Sequence, residues 1–146
     1  MKRKGILTAA ILLIIAGGFF GVMLRLNIKE NVTAIRIDYI ENYLASSMEI
    51  DKEVTIEDEN EIHSLIDKIN DSWLWQVPGK SEKSWNVSGN EKMGYLRISI
   101  GGLSENHILG IYEDGTVILD DKEYKSLFSK KEGTNLYQDI LNNLIL

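Results

Sequence analysis

A run of 20 residues without a charged side chain, at positions 5–24, limits what this chain can fold into more than any other feature of its sequence. As a helix rising about 1.5 Å per residue, the run would be roughly 30 Å long, which matches the hydrocarbon thickness of a bilayer. Three basic residues precede it (Lys2, Arg3 and Lys4), whereas acidic residues dominate after Arg25. By the positive-inside rule, this asymmetry predicts a cytoplasmic N-terminus and an extracytoplasmic remainder.

Two alternatives to an uncleaved signal anchor stay open. A cleaved signal peptide usually has an apolar stretch of about 7–15 residues followed by a small-x-small site. Here the candidate site, at residues 16–18, lies inside the apolar run. A buried helix of a globular core is disfavoured because the run is apolar on every face. We therefore expect residues 1–25 to be a signal anchor with one transmembrane helix at 5–24, which makes the membrane a predicted partner.

The rest of the chain is predicted to be one acidic domain at residues 32–146, after a short polar spacer at 26–31. All 22 Asp and Glu residues follow Arg25, but only 12 of the 16 Lys and Arg residues do, so this part carries a net charge of −10. Phosphate backbones and anionic headgroups repel such a domain, and no nucleic acid is expected as a partner. The absence of cysteine excludes disulfides, thiolate metal sites and a cysteine nucleophile.

Alternating apolar residues predict several strands in this domain. The clearest are at 32–40, 54–56, 95–100 and 107–112, and Asp114-Gly115 supplies a hairpin turn into another at 116–119. After a turn at Asp120-Asp121, the residues around Tyr124 fit either a fourth meander strand or a helical turn.

Two helices are predicted around the strands. Asp58 can cap the first, at 58–70, whose apolar residues recur at i, i+3, i+4 and i+7. Thr134 can cap a second helix at the C-terminus. Antiparallel strands with segregated helices indicate an α+β two-layer sandwich, with a sheet of about four to five strands and both helices on one face.

No pattern of catalytic or metal-binding residues stands out. His63 and His107 are far apart in sequence, and zinc needs three or four ligands, so we expect no metal and no cofactor. The acidic cluster at 57–61 lacks the spacing of a calcium loop and fits a helix start better. No nucleophile motif or phosphate loop occurs, and a carboxylate pair for glycoside hydrolysis cannot be located in a sequence with 22 acidic residues.

The three tryptophans are the candidate binding residues. Trp73, Trp75 and Trp85 fall close together, and Trp85 lies in a polar stretch rich in glycine, serine and lysine at 79–92. Exposed tryptophan stacks on sugar rings or anchors a protein partner. The alternative is that Trp73 and Trp75 close the core while Trp85 fixes the loop.

Three stretches of the sequence carry a resemblance to a known class of proteins: VTIEDENEIHSLIDKI at 54–69, GYLRISI at 94–100 and GIYEDGTVILD at 110–120. With the basic start and the single hydrophobic span, they resemble small extracytoplasmic domains of unknown function from Gram-positive bacteria, which follow a lipoprotein signal or one anchor. The resemblance covers residues 32–144 and implies an envelope location and this fold class, but no catalytic residue. Unlike most such domains, this chain lacks the cysteine that carries the lipid.

These features predict a single-pass membrane protein whose extracellular domain is a non-catalytic binding module for an envelope protein or a cell-wall component. One alternative is an accessory or immunity-type subunit that docks on a neighbouring membrane protein through residues 5–24. Another is an envelope hydrolase that acts through carboxylates which the sequence does not single out.

Overall fold

The computed structural model of the chain describes residues 25–29, 31–43, 49–78, 93–102, 106–126 and 131–146. Seven strands are described, namely β1 (Val32–Tyr43), β2 (Lys52–Ile56), β3 (Leu74–Gln76), β4 (Met93–Gly102), β5 (Asn106–Tyr112), β6 (Val117–Leu119) and β7 (Lys122–Ser126). They form one sheet in the order β2-β1-β4-β5-β6-β7-β3, and every neighbouring pair is antiparallel.

The α+β class is confirmed, but the predicted number of strands is wrong, because the sheet has seven strands rather than four or five. β3 is three residues long, which is too short to show an alternating pattern. β7 has the largely polar sequence KEYKS and forms the strand alternative of the segment around Tyr124. Both strands depend on long-range pairing with each other, which a local pattern does not reveal.

Two helices are described. α1 (Glu59–Asp71) begins at the predicted cap, since the Asp58 side chain accepts hydrogen bonds from the backbone N–H groups of Asn60 and Glu61. α2 (Glu132–Ile140) continues into a π-helical turn at Leu141–Ile145. The predicted Thr134 cap is wrong, because α2 begins two residues earlier and its cap position is Lys131.

Both helices pack on one face of the sheet and build a single main core. Each contributes the apolar stripe of its sequence, and the strands contribute every second residue. The buried helix residues in this core are Ile62, Leu65, Ile66, Ile69, Leu136, Tyr137 and Ile140, and the strand residues opposite them include Ile35, Ile37, Leu96, Ile98, Ile100, Leu109 and Ile111.

The domain begins before the expected boundary. Leu26 is 0% exposed and Ile28 is 6% exposed, and both belong to the main core. The segment predicted as a polar spacer is therefore part of the folded domain, from Arg25 onward. No helix in the described part of the chain is long and apolar enough to cross a membrane, and the predicted span at 5–24 lies outside that part.

Candidate functional site

Strand alternation places a second set of side chains on the face of the sheet opposite the helices, which we call the open face. On β4, Leu96 and Ile98 lie in the main core, so Tyr95 and Arg97 lie on the open face. A second buried cluster forms there from Ile40, Tyr43, Tyr95 and Tyr112, with Met93 and Ile118 packed against it. Neither described helix contributes a residue to this cluster.

Three tyrosine rings, the tyrosine cluster, form its centre. The Tyr95 ring centroid lies 4.7 Å from those of Tyr43 and Tyr112, and the rings are tilted by 40° in both pairs. Tyr43 and Tyr112 meet edge to face at 5.9 Å. Burial raises the pKa of Tyr95 to about 12 and that of Tyr112 further still, so both phenols are neutral at physiological pH.

Gly110 makes room for the tyrosine cluster on β5. It lies opposite Arg97 in the register, two positions along from the Tyr95–Tyr112 pair and therefore on the same face. A Cβ atom at this position would lie 2.7 Å from the Tyr95 hydroxyl and 2.9 Å from its ring, so the tyrosine ring lies over the glycine backbone. A larger residue at 110 would displace the ring.

A buried carboxylate organises the charges beside the tyrosines. Asp38 is 0% exposed, and it accepts hydrogen bonds from Arg36 Nε at 2.9 Å and from Arg97 Nε and Nη2 at 2.8 and 2.6 Å. Burial alone would raise the pKa of Asp38, but the two guanidinium groups outweigh it and the pKa is lowered. Arg36 also pairs with Glu53 at 2.7 Å on the neighbouring strand.

The tyrosine cluster, Gly110 and Arg97 border a cavity of about 340 Å³ on the open face. Its floor is the tyrosine cluster, and its apolar wall includes Ile108, which is 51% exposed, and Ile118. Charged side chains stand at its rim, namely Arg97, Asp120 and Asp121. An apolar recess with a few converging polar groups is the usual form of a small-molecule or side-chain binding site.

The His107–Asp120 pair near the cavity resembles part of a hydrolase site, since Nδ1 lies 2.5 Å from Oδ2. Across β4 and β5, Ser99 pairs with Ile108 and Ile100 pairs with His107. Because paired residues share a face of the sheet, Ser99 lies on the open face with Ile108, whereas His107 lies on the helix face with Ile100. Asp120 also accepts a hydrogen bond from the Ile108 N–H at 3.0 Å. The pair fastens the β6–β7 turn to β5, and Ser99 does not complete a nucleophile–base arrangement with it.

The predicted tryptophan site is only partly described. Trp73 is 52% exposed, and the guanidinium carbon of Arg25 lies 4.8 Å from its ring centroid. Trp75 is half-buried on β3, and its indole nitrogen is buried with no acceptor among the described residues. Neither residue lines the cavity. Trp85 lies outside the described residues.

Metal binding has no support in the described ranges, where no group of three or more His, Asp or Glu side chains is placed to hold an ion. His63 lies on the exposed face of α1, 3.8 Å from Glu59 one turn earlier. The two histidines are therefore engaged by separate carboxylates on separate elements.

The tyrosine cluster is not apparent from the sequence, because the apolar alternation that predicts the strands marks only the residues that face the helices. The alternate residues that face away from the helices do indicate a second apolar cluster, because they are too apolar for a fully solvated face. They include Tyr95, Ile108, Tyr112 and Ile118. Their convergence depends on strand pairing that joins distant segments, which no local spacing encodes.

No protein-family model matches the chain, and comparisons with curated proteins and with solved structures found no match.

Proposed function

We propose that the chain is a membrane-anchored binding module of the cell envelope, and that its ligand occupies the cavity on the open face. The observation that carries this proposal is the recess itself, which joins an apolar floor and wall to charged side chains of both signs. The module is non-catalytic, and its partner is an envelope protein or a cell-wall component.

The charges favour a ligand that carries a basic group beside an apolar one. The extracytoplasmic part has a net charge of −10, which attracts cations over the range of the Debye length. At the rim, Arg97 is already paired with the buried Asp38 and Asp120 with His107, whereas Asp121 brings a further carboxylate. An apolar group would cover Ile108, which is the most exposed apolar side chain of the lining.

The anchored location is tested by the mass of the mature protein. An uncleaved anchor predicts that protein extracted from membranes keeps the full mass of 16.6 kDa. Loss of a fragment of about 18–25 N-terminal residues would show that the segment is a cleaved signal peptide.

The ligand site is tested by photo-crosslinking in membranes of producing cells, with a photoreactive residue at position 108 of the full chain. Position 50 supplies the matched control, because Ile50 is also a partly exposed isoleucine, at 38%, and does not line the cavity. We expect a discrete adduct from position 108 that is absent from position 50. Asp121→Asn should reduce its yield several-fold, since it removes one rim charge.

Equal adducts at both positions, or none at 108, would contradict a ligand in this cavity. An adduct that is unaffected by Asp121→Asn would keep the site but contradict the basic ligand. Thermal unfolding of each variant shows whether the domain is intact, so a folding defect is not read as lost binding.

A further inference from the structure

The chain passes from residue 24, the end of the predicted span, into the folded domain without a linker. Leu26 is fully buried, and its N–H donates to the Leu74 carbonyl at 2.9 Å. Ile28 is also in the core. Because one residue reaches at most about 3.6 Å, the surface around Arg25 stays close to wherever residue 24 lies.

Two tryptophans surround this entry point. Arg25 forms a backbone bridge with Trp75, and its guanidinium lies over the ring of the exposed Trp73. The same guanidinium donates from Nη2 to the Asn70 carbonyl at 2.8 Å, near the C-terminus of α1. We call Arg25, Trp73 and Trp75 the tryptophan edge.

We infer that the tryptophan edge rests in the headgroup layer of the bilayer that holds residues 5–24. This inference depends on the anchored topology proposed above. Tryptophan is enriched at that depth because its ring is apolar while its N–H is polar. An arginine guanidinium suits the lipid phosphates, to which it donates parallel hydrogen bonds.

The charge distribution orients the domain in the same way. The acidic bulk of the domain is repelled by anionic headgroups, while Arg25 and the exposed Lys29 are basic and lie at the entry point. β3 would then be the strand nearest the membrane. β2 is at the opposite edge of the sheet, six strand spacings away, which is about 29 Å at 4.8 Å each.

The chain contains no cysteine, so single labelling sites can be introduced without background. We would compare Trp73→Cys with Ile50→Cys, the latter one residue before the Asp51–Tyr39 contact at the β2 edge. Each full-length variant carries an environment-sensitive dye and is reconstituted in phosphatidylcholine vesicles that contain brominated lipid. We expect quenching at position 73 to exceed that at position 50 several-fold.

A second measurement uses the native tryptophans without labels. Brominated lipid should quench the wild-type emission, and Trp73→Phe should remove a large part of that quenching. Trp73 is half exposed, so its replacement leaves the main core intact.

The outcomes separate the two proposals. Similar quenching at positions 73 and 50, or none at 73 in protein that resists carbonate extraction, would overturn the membrane contact while the anchor stands. Release of the protein by carbonate would overturn the anchored topology, and the contact with it.

Discussion

Asp38 is the buried carboxylate of the open face with which two arginines, Arg36 and Arg97, form ion pairs. Asp38→Asn keeps the shape but removes the charge that Arg36 and Arg97 share, so the two guanidinium groups then face a neutral amide. Breaking a buried pair in this way costs about 3–5 kcal/mol, and we expect roughly 2–4 kcal/mol here because both arginines are partly exposed. Urea unfolding at neutral pH measures the loss.

Glu53→Gln is the matched control, because it removes the other carboxylate that binds Arg36. This pair is 46% and 47% exposed, so its loss should cost less than about 1 kcal/mol. Equal effects of the two substitutions would contradict the assignment of Asp38 as the central charge.

The Asp38 contribution also has a defined pH dependence. Its pKa is lowered from 3.8 in the folded domain, so its stabilisation is present above the unfolded value and is lost as the pH falls through the folded value. The stability difference between wild type and Asp38→Asn should therefore shrink below about pH 4. A constant difference down to pH 2 would contradict the lowered pKa.

The β6–β7 turn contains two aspartates that adopt the left-handed region, with φ of 47° at Asp120 and 67° at Asp121. A non-glycine residue there costs about 1 kcal/mol, so Asp121→Gly should raise stability by about that amount. Asp120→Gly should instead lower it, because Asp120 binds His107 and the Ile108 N–H. Thermal unfolding checks the opposite signs, and two changes of the same sign would contradict this account.

At the scale of elements, α2 is fixed to the sheet by a contact between two glycine backbones. A Cβ atom on Gly133 would overlap the carbonyl oxygen of Gly115 and lie 2.7 Å from its carbonyl carbon. Gly115 itself has a φ of 87° at the end of the β5–β6 turn. The first turn of the helix therefore packs directly on this turn.

This contact reverses the usual effect of removing a helical glycine. Ala is normally better than Gly in a helix by about 1 kcal/mol, but at position 133 overpacking should make Gly133→Ala destabilising by about 1–3 kcal/mol. Chemical denaturation measures the change. A stabilised Gly133→Ala variant would show that the two backbones are not in contact.

The same contact explains why α2 begins before Thr134. Thr134 has a good capping side chain, but a helix beginning there would remove Gly133 from the first turn. Local capping preference predicts the start of α1 correctly, and the Asp58 side chain accepts the N–H groups of Asn60 and Glu61 there. Packing against the turn outweighs that preference in α2.

At the scale of the whole molecule, five of the six tyrosines make the stability of the folded domain depend on pH in the alkaline range. Burial raises the pKa of Tyr39, Tyr95, Tyr112, Tyr124 and Tyr137 above the ordinary value of 10.0. The unfolded chain thus releases phenolic protons before the folded chain does. The stabilisation is complete below pH 10 and is lost as the pH rises through the folded pKa values, of which that of Tyr95 is about 12.

We therefore expect the urea concentration at the unfolding midpoint to decrease as the pH is raised from 10 to 12. The tyrosinate absorbance of the folded protein should rise at a higher pH than that of the unfolded chain. Tyr95→Phe should weaken this dependence, because it removes one of the protected phenols. Full tyrosine ionisation near pH 10 in folded protein would contradict their burial.

The sequence predicts the class of the fold better than its surface features. Periodicity located α1 and the central strands, because each carries its own apolar pattern. It missed β3 and the tyrosine cluster, since these exist only after distant segments pair. The burial of Leu26 is not apparent from the sequence for the same reason, because its backbone partner Leu74 on β3 lies far along the chain.

The burial of Leu26 also has a mechanical consequence. In the anchored topology, any tilt or pull of the membrane segment reaches Leu26 directly, with no flexible chain to absorb it. Its backbone bond to Leu74 would pass that load to β3, a three-residue strand at the edge of the sheet. The domain would therefore tilt together with its anchor as one unit. Under tension, the β3 edge of the sheet would be the first part to unfold.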